Sequence, residues 1–167
     1  LYIVDQHAAH ERILYDRFAR SAASIPSQQL LVHLLLDFSE HECELVLSHQ
    51  ELFQTLGFDV EASGPEQLRL REVPADIPVG EAEAVMREIL ESLLNLHDLT
   101  AAEIRHACLA TTACRAAIKA GDTLNLRQMQ IILDELEGTT LPYTCPHGRP
   151  TIIKFTSPEL GKMFKRT

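Results

Sequence analysis

Residues 31–100 carry 15 acidic and 3 basic side chains, a net of −12, whereas the rest of the chain is mildly basic at +3. A block of one sign on this scale has to keep its charges in water and find its own apolar core. Its patterning supplies one. LLVHLLLDF (30–38) reads as a buried strand. SEHECELVLSHQELFQTLGF (39–58) reads as one strong helix, opened by Ser39 with Glu42 in a capping box and ended by Gly57. DVEAS and QLRLREV alternate as two strands around GPE, a hairpin signal, and PADIP is a linker. GEAEAVMREILESLLNL (80–96) is an amphipathic helix. Residues 29–97 are thus expected to close on themselves as a small α/β unit.

The flanks read differently. LYIV is a strand and Asp5 a helix N-cap. Gln6 to about Ser21 is a helix with a packing seam of Ile13, Leu14, Arg17 and Phe18. In TAAEIRHACLATTACRAAIKAG (100–121) small residues recur at Ala107, Ala110, Ala113, Ala117 and Ala120, so this helix is expected to be central. Asn125 caps LRQMQIILDELEG, which Gly138 ends; TTLPYTCPHGRP is a loop and TIIKF a strand. A last helix, SPELGKMFKR, starts with Ser157 as N-cap and Pro158 in its first turn. The fold class is α+β. At 167 residues, 46% hydrophobic and 23% charged, the chain belongs to the ordinary globular class. No apolar run reaches membrane-spanning length and no secretory leader is read, so a cytoplasmic setting with no membrane partner is expected. The opening strand without a Met reads as the start of a piece of a longer protein. Four cysteines (43, 108, 114 and 145) are expected as reduced thiols, used for metal binding or plain burial.

Chemistry concentrates in two places. Cys145 and His147 stand two apart in CPHGRP, where Pro146 and Pro150 stiffen the turn and Gly148 allows a backbone angle other residues resist. One turn can aim both side chains at one ion; a rigid loop with an incidental Cys and His is the other reading. His7 and Glu11, four apart, share a helical face, and the Asp5 carboxylate can turn to the same side. Here the alternative is a plain cap beside a solvated pair, with His10 on a neighbouring stripe. Cys114 by itself reads as a buried thiol. Together Asp5, His7, Glu11, Cys114, Cys145 and His147 offer carboxylate, imidazole and thiolate, donors that suit Zn²⁺ and Mn²⁺ and suffice for two ions. Two neighbouring ions are a common arrangement for cutting phosphodiesters, and Arg149 and Lys119 are cations that can meet a phosphate.

These residues fall in an ordered set of segments that resembles a known family. DQHAAHERILYD (5–16) resembles the DQHA-x2-E-x4-E endonuclease motif of the MutL C-terminal domain, ACRAAIK (113–119) its ACR segment, CPHGRP its C-P-H-x-R-P motif and FKR (164–166) its terminal F-x-R. The resemblance is to bacterial members with nuclease activity. It implies a dimerisation subdomain built from both chain ends (1–28 and 98–167) and an inserted external, regulatory subdomain (29–97). It further implies a homodimeric, Zn²⁺-binding, Mn²⁺-stimulated endonuclease that nicks one strand of duplex DNA in mismatch repair. Asp5, His7 and Glu11 are the implied catalytic residues, and they form the metal site with Cys114, Cys145 and His147. ATP belongs to an N-terminal domain absent from this chain, and the mismatch-recognition protein MutS is a partner of the full-length protein, in the bacterial cytoplasm near the nucleoid. The family's last Glu of the first motif falls on Asp16, read as helix surface or outer support and not as a ligand. QQLLVH (28–33) sits where some relatives carry a sliding-clamp-binding peptide, with His33 at the proline position. Gln28, Gln29, Leu30, Leu31 and Val32 are therefore either a clamp contact or the lead into a buried strand.

A net charge of −9 opposes phosphate binding, which rests on Lys and Arg contacts. The acidic insert is expected to keep the bare domain off DNA, with Arg149, Lys119, Arg115 and Lys165 lining the approach to the metals. The rival reading is a non-catalytic dimerisation scaffold with a structural zinc site. A zinc deaminase or peptidase is disfavoured, because neither H-E-x-x-H nor P-C-x-x-C occurs.

Overall fold

The computed structural model describes residues 1–21, 24–95 and 100–165. Among them the order is β1 (Tyr2–Val4), α1 (Gln6–Arg20), β2 (Ser27–Asp37), α2 (Glu40–Ser48), α3 (Gln50–Thr55), β3 (Asp59–Gly64), β4 (Gln67–Pro74), a 3-10 turn (Val79–Glu81), α4 (Ala82–Asn95), α5 (Ala101–Ala116), α6 (Leu126–Glu137), β5 (Ile152–Lys154) and α7 (Ser157–Met163). Helices and two small sheets make an α+β fold. The chain divides into two compact units, one of Leu1–Asp16 with Ala117–Thr167 and one of Arg17–Ala116. The division falls within α1 and just after α5. Residues 17–28 join the middle segment because, for example, the Ile25 N–H donates to the Thr55 carbonyl and the Ala75 N–H to that of Pro26. The expected break at 97–98, and Leu96 at the end of the expected helix, lie outside the described residues.

In the first unit β1 pairs antiparallel with β5, Tyr2 opposite Lys154 and Val4 opposite Ile152. The Asp5 carboxylate caps α1 by accepting the Ala8 N–H at 3.0 Å, as its position before the helical pattern requires. Ala9 and Ile13 of α1 meet Ile132 and Leu136 of α6 in a core edged by Val4, Ile118, Leu124 and Ile152. Asn125 and Gln128 form the capping box of α6. The N-cap of α7 is Thr156, not Ser157, because Glu159 stands three residues beyond Thr156 and completes the capping box with it.

In the second unit the sheet order is β2-β4-β3, all antiparallel. Val60, Leu68, Leu70 and Val73 are buried with Phe53 and Phe58, whose rings meet edge to face at 6.3 Å, and α4 packs on α5. Three expectations need correction. Residues 39–57 form two helices, not one: Ser48 Oγ and the His49 ring both turn to the Leu45 carbonyl, and the chain breaks at His49. The strand over 30–38 is largely exposed, because β2 lies at the sheet edge. Its pairing jumps from Gln29–Glu72 to Leu34–Leu70, so Leu30–His33 bulge and Leu31 and Val32 are solvent-facing. The long helix through Gly121 stops at Ala116.

Gly57 ends α3 with φ +85°, and an added Cβ would stand 3.2 Å from the Ile25 carbonyl oxygen and 3.3 Å from Pro74 Cα. Gly57→Ala is expected to lower stability by about 1–2 kcal/mol from the left-handed backbone, with steric crowding added. Urea denaturation at pH 7 reads this as a lowered midpoint; an unchanged midpoint contradicts the strain.

Candidate metal centre

The first turns of α1 and the loop 139–151 build the site. His7 and Glu11 lie one helical turn apart, and one ligand atom of each comes within 4.8 Å of the other. His7 Nδ1 stands 2.9 Å from the Ile118 carbonyl. A carbonyl only accepts, so Nδ1 carries the proton and Nε2 keeps its lone pair, the tautomer a metal-ligating imidazole needs. His10 grips the same residue from the other side, its Nδ1 accepting the Ile118 N–H at 3.0 Å. The Gln6 amide donates to the Lys119 and Asp122 carbonyls at 3.0 and 2.9 Å. The segment after Ala116 thus gives its polar backbone atoms to side chains of α1, and no longer to a helix.

On the other wall the Cys145 carbonyl accepts the Gly148 N–H at 2.9 Å, closing a β-turn with Pro146 at its second position. The Cys145 N–H donates to the Arg149 carbonyl at 2.8 Å, and Gly148 takes φ +82°. This turn delivers Cys145 and His147 to Glu11: a thiol, an imidazole nitrogen and a carboxylate oxygen all within 4.8 Å of one another. Glu11 is fully buried. Its Oε1 accepts from His147 Nδ1–H, and its Oε2 has no hydrogen-bond partner among the described residues. Burial pushes the Cys145 thiol up; hydrogen bonds from the loop backbone oppose this, and the negative charge of Glu11 adds to it. A buried carboxylate oxygen without a donor, beside a buried thiol and an imidazole, is costly by itself and becomes reasonable around a cation. The donor set is that of zinc. The residues therefore fit the expected ion.

The other expected residues stand as follows. Asp5 is exposed, caps α1, and is not part of the Glu11–Cys145–His147 cluster. Cys114 sits half-buried on the last turn of α5, in the second unit. Arg149, Lys119 and Lys165 are exposed in the first unit, while Arg166 of the FKR segment lies outside the described residues. Arg115 is held by Glu88 of α4, Nε to carboxylate 3.0 Å, and this pairing holds its pKa above the ordinary value. Gln28 donates to the Ile77 carbonyl at 3.4 Å, Gln29 is exposed, Leu30 is buried, and Leu31 and Val32 point to solvent. Cys43 and Cys108 are buried, and burial pushes the Cys108 thiol up to about 11, an inert side chain.

Of the two positions expected for Asp16, helix surface or outer support, the structure excludes the surface. Asp16 is only 4% exposed, pairs with Arg12 at 3.1 Å, and accepts the Thr140 N–H at 2.6 Å. Arg12, likewise buried, also donates from Nε to the Thr144 carbonyl at 2.7 Å. Sequence reasoning missed Arg12. Its one signal was the i, i+4 spacing to Asp16, which on most helices marks a solvated pair.

A family model described as the MutL C terminal dimerisation domain matches residues 1–124. The chain is similar to the DNA mismatch repair protein MutL of Clostridium botulinum (strain 657 / Type Ba4), 38% identical over 168 residues that cover 99% of this chain and 25% of that protein. It is also similar to the DNA mismatch repair protein MutL of Thermoanaerobacter pseudethanolicus (strain ATCC 33223 / 39E), 39% identical over 165 residues, 99% of this chain and 27% of the relative. The chain spans about a quarter of the length of these relatives.

Burial raises the Asp16 carboxyl, but the hydrogen bonds from Thr140 and Arg12 and the Arg12 charge outweigh it and hold the group below its ordinary value. A depressed folded pKa stabilises above the unfolded value, about 3.9, and that contribution is lost as pH falls through the folded value. Asp16→Asn is expected to cost roughly 3 kcal/mol at pH 7 and to flatten the loss of stability below about pH 4. Denaturation series from pH 2 to 7 test this; parallel curves for the two proteins contradict it.

Proposed function

The chain belongs to the MutL C-terminal dimerisation family, and from that premise we propose that it is a metal-dependent endonuclease domain of a mismatch-repair protein. In this reading it nicks one strand of duplex DNA and works as a homodimer. The observation that carries the reading is the fully buried Glu11, whose Oε2 has no partner, set beside Cys145 and His147. Glu11, Cys145 and His147 would hold the ion, with His7 beside Glu11. When bound, Zn²⁺ or Mn²⁺ supplies Lewis acidity toward a phosphodiester and makes water a better nucleophile. The chain's residues do the rest. Ile118 keeps His7 in its ligating tautomer, the Pro146 turn presents Cys145 and His147, and exposed Arg149, Lys119 and Lys165 meet phosphates.

Exposed Tyr2, Ile3, Leu126, Leu141, Tyr143 and Phe164 give the first unit an apolar surface suited to a second copy. The bulged Leu31 and Val32 after Gln28 and Gln29 suit a sliding-clamp contact even with His33 in place of proline. The chain's net −9 keeps its own DNA affinity low, so the clamp and the parent protein's ATPase and MutS contacts would supply local concentration, in the bacterial cytoplasm. No helix among the described residues is long and apolar enough to cross a membrane.

One observation favours the second reading, a scaffold with structural zinc. Asp5 is engaged as a cap of α1 and takes no part in the Glu11–Cys145–His147 cluster, so the cluster lacks the second carboxylate expected of a nuclease site. Supercoiled-plasmid nicking with Mn²⁺ separates the two. The wild-type chain is expected to nick slowly without clamp, and Glu11→Gln to lose at least about 100-fold. Equal nicking by both proteins, or none by the wild type while zinc stays bound, supports the scaffold. Vigorous clamp-independent nicking contradicts the role given to the acidic segment.

A further inference from the structure

We propose that the buried Arg12–Asp16 pair is a positioning device for the metal centre: it sets where Cys145 and His147 stand against Glu11, and thereby the affinity for a divalent ion. The inference rests on the metal-site reading above. Arg12 follows Glu11 directly in α1, so whatever fixes the Arg12 backbone also fixes the ligand beside it. From the pair, two bonds run to the strand of chain that leads into the turn. Arg12 Nε donates to the Thr144 carbonyl at 2.7 Å, and Thr144 immediately precedes Cys145. Asp16 Oδ2 accepts the Thr140 N–H at 2.6 Å. The Arg12 Nη1–Asp16 Oδ1 bond of 3.1 Å ties the two grips together, and the guanidinium stands 5.3 Å from the centroid of the Tyr15 ring. The loop's entry is therefore held at two points by side chains one helical turn apart.

The exit is held separately. Thr151 is fully buried, its N–H donates to the Tyr143 carbonyl at 3.1 Å and its hydroxyl to that of Pro142. Between these anchors Gly148, at φ +82° with open space around it, adds no steric restraint on the turn. The turn is closed by its own hydrogen bonds, and the anchors set where it stands against Glu11. A buried ion pair is a poor device for stability alone, since apolar side chains of similar volume often replace one without loss. Its particular capacity is geometric. The planar guanidinium holds a carboxylate and a carbonyl on donors spaced in a rigid fork, whereas an ammonium carries its donors at a single point and a methionine has none.

The test compares zinc affinity, by competition with a chromogenic chelator, and the visible spectrum of the Co²⁺ form. The proteins are the wild-type chain, Arg12→Lys, Asp16→Asn, Glu11→Gln and the double variant Arg12→Met/Asp16→Leu. Wild type is expected to bind zinc and Glu11→Gln to lose it. Arg12→Lys and Asp16→Asn are expected to bind about 10- to 100-fold more weakly, as for other groups that orient ligands. The double variant removes both charges together; it is expected to unfold near the wild-type temperature yet bind as weakly as the single variants, with an altered Co²⁺ spectrum. Folded variants with wild-type affinity and spectrum overturn the positioning role, Arg12→Lys being the mildest change and the arbiter where the others fail to fold. No zinc bound by the wild-type chain overturns the metal reading itself, and this inference with it.

Discussion

A carboxylate with no exposed surface has to be answered by something, and Glu11 is answered only in part. His147 meets one oxygen; the other has no donor among the described residues. A carboxylate oxygen buried without a donor carries a desolvation penalty. The first unit is arranged around that penalty. The helix α1 is capped by Asp5, seated by Ala9 and Ile13 on α6, and laced by Gln6, His7 and His10 to residues 118–122. These bonds hold the helix still while a tight turn brings a thiol and an imidazole to its fully buried acid, Glu11.

Much of this was legible in the sequence because the signals are local. The caps at Asp5 and Asn125, the box at Ser39, the hairpin around GPE and the shared face of His7 and Glu11 each depend on spacings of four residues or fewer. The structure also brings Cys145 and His147 to Glu11, residues that the family resemblance placed in one set. What was hidden is tertiary. The sequence leaves Arg12 unmarked and Asp16 open between helix surface and outer support, since nothing local says that Thr140 and Thr144 will meet them. The apolar run after Gln29 reads as buried, because composition cannot reveal that its strand ends at a sheet edge with a bulge. His10, set aside as a bystander, holds the Ile118 N–H.

The charge pattern and the site address different steps. A −12 segment disfavours contact with duplex DNA, while the exposed cations of the first unit favour it. In the endonuclease reading proposed above, such an opposition would make cutting depend on local concentration. It suits an enzyme whose targets are chosen by partners, and it costs little to a scaffold. The two readings therefore separate at the ion and its ligands, not at the fold.

X-ray absorption at the zinc edge of the loaded chain addresses that point most directly. A mixed coordination shell is expected, with sulfur at about 2.3 Å and nitrogen or oxygen at about 2.0–2.1 Å, the sulfur signal diminished in Cys145→Ala and the bound zinc lost in Glu11→Gln. A shell of oxygen alone, or one that neither substitution alters, would contradict the claim that Glu11, Cys145 and His147 form a metal centre.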